Sequence, residues 1–552
     1  MTVAGRERLY LYDTTLRDGQ QTQGVQFSAA EKREIAGLLD GLGLDYVEGG
    51  WPGANPTDTE FFAAAPALRA TMAAFGMTRR AGRSAENDDV LAAVLDAGTP
   101  AICLVGKAHP FHAEAALEIT REENRDIIAT SVAHVVRRER EAIFDAEHFF
   151  DGYDADPNYA AGCLHAALDA GARWVVLCDT NGGTMPARIG QVVADVIARG
   201  IPGGRLGIHT HDDTGQAVAG ALAAVEAGAR QVQGTLNGLG ERCGNANLCT
   251  LIPTLLLKPF WRERFETAVD DVALERLLAT SRRLDDILNR VPRREAPYVG
   301  ASAFAHKAGL HASAVEKDPS LYEHVSPDAV GNARVVPMSN QAGLANLRRR
   351  LGELGLEATD DQLRAILGRV KQLEADGYAF DMAPASFELV ARHELGRLPT
   401  FFEVERYRVT VERRAGAVMS EAVVVLRVDG ETRLSVSESR DSAGEDRGPV
   451  NALSQALAKD LGSLQQRIED MLLVDFRVRI MQGGTEAVTR VVIDHEDGSG
   501  HRWSTVGVSP NIVDASFEAL LDAVRWKLCQ GSDDVQASDP KTPSQVAAPL
   551  TG

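Results

Sequence analysis

Cysteine is scarce in this 552-residue chain and comes without a pattern. The six residues Cys103, Cys163, Cys178, Cys243, Cys249 and Cys529 show no paired spacing. That excludes a disulfide framework and leads one to expect a reduced, cytoplasmic setting. Positive charge is also short: 58 Lys and Arg against 78 Asp and Glu leave a formal net charge of −20. The balance argues against nucleic acid and anionic membrane surfaces as general partners. No apolar run reaches membrane-spanning length, and Met1 to Leu9 lack the apolar stretch of a secretion signal.

A chain of this length is expected to hold about two to four domains. Strand-like apolar runs recur from the start: Leu9–Asp13, Tyr46–Gly49, Thr71–Phe75, Ala101–Val105, Ala142–Asp145, Trp174–Cys178, Leu206–His211 and Gln231–Leu236. Helical patterns alternate with them: Ser28–Leu42, Thr57–Leu68, Ser84–Ala97, Glu114–Arg138, Asn158–Ala170, Pro186–Arg199, Thr214–Ala227 and Asn245–Leu257. Ser28 with Glu31 three residues on makes a capping box, and Gly43, Gly98, Gly171 and Gly228 stand where helices end. Eight strand–helix units in roughly 250 residues predict a (β/α)8 barrel over residues 1–260. A doubly wound open sheet is the alternative, disfavoured because no Gly-x-Gly-x-x-Gly follows the first run.

Barrel chemistry gathers at the C-terminal ends of the strands. Ile208-His209-Thr210-His211-Asp212-Asp213 puts two imidazoles on one strand face, half of a metal site. A pair of hydrogen-bonded histidines at a strand end is the plainer account of that spacing alone. Asp13-Thr-Thr-Leu-Arg-Asp-Gly19 also closes a strand, and within one barrel Asp18 can complete a triad with His209 and His211. The same rim would collect Arg17, Glu48, Glu147, Thr180 and the loop Asn237–Asn245. Glu48 reads slightly better as a structural hydrogen-bonding residue.

From Phe260 the pattern turns helical, giving a predicted linker subdomain over residues 261–396. It contains a small-residue stretch, Tyr298–Ser313, with His306 and His311, followed by Tyr322, and amphipathic helices over Leu344–Leu373. Residues 400–530 hold an internal repeat. Strands at Glu403–Arg413, Glu421–Val428 and Thr432–Ser439 precede a helix at Val450–Leu461. Strands at Val474–Met481, Glu486–Asp494 and Ser504–Val508 precede a helix at Ile512–Leu528. These are two βββα units. Residues 531–552 are poor in apolar side chains and are expected to be disordered.

Asp13–Gly19, His209–Asp213 and Gly238-Leu-Gly-Glu-Arg-Cys-Gly-Asn245 resemble the motifs of the α-isopropylmalate synthase and homocitrate synthase family. The resemblance runs from about residue 8 to 530, and Gly448–Leu453 with Thr505–Ile512 resemble the family's allosteric domain. Tyr46–Pro56, Phe144–Tyr153 and Phe304–His311 point to the branch that condenses acetyl-CoA with pyruvate. Gln20, where isopropylmalate synthases carry Glu, points away from that branch. The resemblance implies a divalent metal, Mn²⁺, Mg²⁺ or Zn²⁺, on Asp18, His209, His211 and Asn245. It implies Arg17 as oxyanion stabiliser, Thr180 on the substrate carboxylate, and Glu147 or His311, with Tyr322 nearby, in proton transfer; His306 is expected to be structural. Phe75 and Leu104 are expected to wall the short side chain of the oxo acid. A homodimer inhibited by isoleucine is the implied assembly. Isopropylmalate or homocitrate synthesis, or a non-catalytic amino-acid-binding regulator, are the competing readings.

Overall fold

A computed structural model describes residues 5–338, 343–414, 417–440, 448–481 and 488–530. The expected disordered tail, and the expected strand start at Glu486, lie outside the described residues. The chain divides into two units. The first runs to Phe304 and takes in Glu323–Arg334; the second is Ala305–Tyr322 with the chain from Val335 onward. The stretch 261–396 is shared between them.

The first unit is a closed, all-parallel eight-stranded barrel. Its strands are Tyr10–Asp13 (β1), Tyr46–Glu48 (β2), Thr71–Met77 (β3), Ala101–Lys107 (β4), Glu141–Glu147 (β5), Trp174–Asp179 (β6), Leu206–Thr210 (β7) and Gln231–Gly234 (β8). Two apolar layers hold it. Inward residues, among them Tyr12, Tyr46, Cys103, Ile143 and Trp174, fill the barrel. Outward residues such as Leu11, Val47, Leu104 and Val175 pack beneath the helices. The aromatic floor is tied by polar handles: Trp174 Nε1 donates to the Tyr46 hydroxyl at 3.2 Å, which donates to Glu141 at 2.7 Å. Burying a ring while pairing its polar atom is what an interior tolerates.

Helix Ala29–Gly41 (α1) starts on the Ser28–Glu31 capping box, and helix Pro56–Ala63 (α2) on an Asn55 cap. The chain turns into its next strand through Gly43, Gly98, Gly171 and Gly228, all at positive φ. Three expectations need correction. The helix expected from Glu114 begins at Arg121, because the Thr120 side chain caps Glu123 N–H and starts it there; His112–Ala116 is a separate π-type turn. The helix expected to reach Leu68 ends at Ala63. A helix at Phe149–Ala155 was not expected, because Gly152 obscured it; that glycine lies against the Ala108 carbonyl, where a Cβ would come within 2.5 Å.

In the second unit, helices Leu344–Glu353, Asp360–Ala375 and Pro384–Glu394 share a core of Leu347, Ile366, Val370 and Phe387. The repeat follows. Strands Glu403–Arg414 (β9), Ala417–Val428 (β10) and Glu431–Arg440 (β11) form one antiparallel sheet, covered by helix Pro449–Lys459. Strands Leu472–Ile480 (β12), Thr489–Glu496 (β13) and Arg502–Ser509 (β14) form the other, covered by helix Ile512–Cys529. Val424, Leu457, Ile493 and Leu520 belong to one apolar cluster, so the two βββα repeats bury a common core. Among the described residues no helix is long and apolar enough to cross a membrane.

Candidate active site

The Asp-Thr-Thr-Leu-Arg-Asp run folds as it does because β1 must leave the barrel without orphaning its backbone. The Asp13 carboxylate accepts from Thr15 N–H at 2.8 Å and Thr15 Oγ1 at 2.7 Å, and Thr15 Oγ1 accepts from Leu236 N–H at 2.8 Å. Thr14 O then takes the N–H groups of Arg17 and Asp18 at 3.1 and 2.8 Å. The turn thus delivers Arg17 and Asp18 to the rim beside the end of β8.

There Asp18 meets the histidines of β7. Asp18 Oδ2 lies 3.2 Å from His209 Nε2 and 3.9 Å from His211 Nε2, and the two Nε2 atoms are 3.3 Å apart. The Asn245 amide nitrogen sits 2.9 Å from Asp18 Oδ2 and 3.1 Å from His209 Nε2. Gly244 makes this loop possible: at φ +98° its absent Cβ would fall 2.0 Å from the Gly238 carbonyl. All four side chains are buried. Among the described residues, Asp18, His209 and His211 are the only three of their kind close enough to share one ion.

The donor set fits a divalent cation. His209 Nδ1 pairs with Gln233 Oε1 at 2.8 Å, and an amide oxygen only accepts, so Nδ1 carries the proton. In the neutral ring, Nε2 is then a lone pair facing a carboxylate. Asp18 Oδ1 is buried without a partner, an expensive arrangement that a cation would relieve. Asn245 turns its amide nitrogen, a donor, to Asp18 and His209, so it could ligate only with its amide turned over to bring Oδ1 into the site. Burial works against charge on both groups. Yet the Arg17 guanidinium and His209 hold Asp18 well below the usual carboxylate range, and Asp18 holds His209 above the usual imidazole value. Burial and the neighbouring His209 press His211 down to about 4, leaving it neutral and able to ligate.

Arg17 is fixed on three sides. Its Nε donates to Glu48 Oε1 at 2.6 Å, its Nη1 lies 3.4 Å from Asp18, and its guanidinium stacks 4.0 Å over the Phe75 ring. Glu48 is fully buried and also accepts from the Tyr12 hydroxyl at 2.7 Å. It anchors Arg17, a more specific task than a loop hydrogen bond.

Arg17, Asp18, His209 and His211 line a cleft of about 230 Å³ together with Trp51, Phe75, Val105, Glu147 and Thr180. Thr180 Oγ1 accepts from His148 N–H at 2.8 Å, which leaves its own proton to donate. Glu147, at the end of β5, is ion-paired with Lys107 of β4. Leu104 is not on the cleft. It lies on the outer face of β4, in the layer beneath the helices, because successive strand residues alternate in direction. Val105, one residue on, takes the wall position. His311 and Tyr322 belong to the second unit, where their rings stack with centroids 4.3 Å apart and both are exposed.

One residue of the site went unread in the sequence. Gln233 on β8 bridges His209 and Asp145, donating to Asp145 Oδ1 at 3.1 Å. Burial and the charge of Glu48 push Asp145 up to about 6. Polar side chains in a four-residue barrel strand, Gln231-Val-Gln-Gly234, were the available signal.

Residues 8–282 match the HMGL-like family model, 298–377 the homocitrate synthase post-HMGL domain-like model, and 381–528 the LeuA allosteric (dimerisation) domain model. An (R)-citramalate synthase of Synechocystis is 44% identical, covering 94% of this chain and 96% of its own. One from Streptomyces coelicolor is 45% identical over 95% and 97%, and one from Aquifex aeolicus 43% over 96% and 99%.

Proposed function

The chain belongs to the (R)-citramalate synthase family, and from that premise we propose that it condenses acetyl-CoA with pyruvate and water to give (R)-citramalate and CoA. The observation that carries the reading is the convergence of Asp18, His209 and His211 beside an anchored arginine at one barrel rim.

In this reading Asp18, His209, His211 and Asn245 hold a divalent ion, Mn²⁺, Mg²⁺ or Zn²⁺, which supplies Lewis acidity toward the 2-oxo acid. The Thr180 hydroxyl donates to the pyruvate carboxylate. Trp51, Phe75 and Val105 enclose its methyl group, leaving little room for a longer side chain. Glu147 or His311 takes a proton from the acetyl methyl, with Tyr322 beside His311. As the carbon–carbon bond forms, negative charge gathers on the former keto oxygen. Arg17 meets that charge with the part of its fork that Glu48 leaves unused. A single preorganised donor of this kind is worth roughly 3 kcal/mol of barrier. Water then cleaves the thioester and releases CoA.

The two βββα repeats carry no group this chemistry needs. In this reading they form the dimerising, effector-binding part of a homodimer, and isoleucine is the effector.

Metal removal tests the site. Stripped protein should release no free thiol from acetyl-CoA and pyruvate, and added Mn²⁺ should restore release. His209→Ala should bind Mn²⁺ weakly and stay inactive. Full activity of a metal-stripped His209→Ala variant would refute the assignment.

A further inference from the structure

Helix α1 turns a lysine inward. Its buried face is Ala29, Lys32, Ile35, Ala36 and Leu39, and Lys32 is fully buried among them. An ammonium has three protons, and all three are used. Lys32 Nζ donates to the Leu16 carbonyl at 2.8 Å, to the Gly49 carbonyl at 3.1 Å, and to Asp58 on α2, with which it is ion-paired. Asp58 is held in turn: its Oδ2 accepts from Trp51 N–H at 2.8 Å and from Asn55 Nδ2 at 2.9 Å. The chain makes room for this carboxylate with Gly50, at φ +137°, whose Cβ would lie 2.5 Å from it.

The two carbonyls mark the target. Leu16 immediately precedes Arg17 and Asp18; Gly49 immediately follows Glu48; and Arg17 Nε bonds Glu48 Oε1 at 2.6 Å. One ammonium therefore ties together the two loops whose side chains form the anchored arginine, while its partner Asp58 fixes the backbone of Trp51 on the cleft wall. Stability alone does not account for it. Exchanging a buried ion pair for apolar side chains of similar volume is often neutral or stabilising, and the neighbours of Lys32 on α1 are apolar already.

We propose that Lys32 and Asp58 are positioning residues for the condensation, a buckle beneath the site that fixes where Arg17, Asp18 and Glu48 stand. The proposal rests on the reading of Arg17 and Asp18 as site residues. Its test is the double variant Lys32→Met/Asp58→Asn, which removes both buried charges at once, measured beside Lys32→Met and Arg17→Ala. Three quantities are needed: the unfolding temperature, Mn²⁺ affinity by calorimetry on the stripped chain, and kcat with KM for both substrates. The double variant should fold but unfold below the wild-type temperature, because the Leu16 and Gly49 carbonyls lose their donor. Its kcat should fall about 10²-fold, the effect of displacing a reacting group by about 1 Å. Its KM for acetyl-CoA should be unchanged, and its Mn²⁺ affinity should drop about tenfold as Asp18 shifts. A folded double variant with wild-type kcat and Mn²⁺ affinity would overturn the proposal. So would one that cannot fold, since the pair would then be a requirement of the fold. If Lys32→Met alone misfolds, the double variant decides. An active Arg17→Ala variant would instead overturn the reading of the site.

Discussion

Gln233 offers the sharpest test of how the metal-facing histidine is prepared. In Gln233→Leu the acceptor 2.8 Å from His209 Nδ1 disappears. A buried N–H left without a partner costs about 1–3 kcal/mol. The ring can avoid that by moving its proton to Nε2, which faces Asp18 Oδ2 at 3.2 Å and would make a favourable charged hydrogen bond there. That tautomer offers no lone pair to a metal. Binding must then first reverse the shift, so Mn²⁺ affinity should fall roughly 10–100-fold, about 1.4–2.7 kcal/mol. Gln233→Glu keeps the acceptor and should bind Mn²⁺ at least as tightly as Gln233→Leu does, despite crowding Asp145. Calorimetric titration of Mn²⁺ into the stripped variants reads this directly, with thermal unfolding as the control for integrity. A folded Gln233→Leu protein with wild-type Mn²⁺ affinity would refute the tautomer argument.

Arg17→Lys keeps the charge but loses the planar fork that reaches Glu48 and the cleft together, so turnover should fall about 10²-fold with pyruvate KM nearly unchanged; a loss confined to KM would contradict a role in the transition state. Isoleucine should bind the intact protein in calorimetry and lower turnover at saturation, tenfold inhibition requiring about 1.4 kcal/mol of preference for the inhibited state. No binding together with unchanged turnover would reject that effector, and leucine acting in its place would favour the isopropylmalate reading.

The barrel was legible because each strand reads as an apolar run of strand length and several helices start on a polar cap or end at a glycine. Asp18, His209 and His211 were legible because a His-x-His pair and an acidic strand end can meet only if their strands share a rim. Leu104 was misplaced by one residue, and in a strand one residue is the difference between the cleft and the helix layer. Register of that kind is set by the neighbouring strands, here Leu104 beside Gly76 and Phe144. In the sequence nothing sets Lys32 apart from an ordinary charged residue of an amphipathic helix. Its role depends on two carbonyls that are 16 and 17 residues away in the chain. Gln233 escaped for a related reason, and the task of Glu48, named at the rim, stayed open, since each matters through the side chain it holds. Residues that touch a ligand leave motifs, whereas those that hold them leave only polar atoms where the pattern calls for apolar ones.

The most direct test of the account offers the protein pyruvate, 2-oxoisovalerate and 2-oxoglutarate together at equal concentration, with acetyl-CoA and Mn²⁺, and identifies the products by mass and chiral chromatography. The cleft walled by Trp51, Phe75 and Val105 predicts (R)-citramalate as the dominant product. A dominance of 2-isopropylmalate or homocitrate, or no acetyl-CoA-dependent product at all, would contradict it.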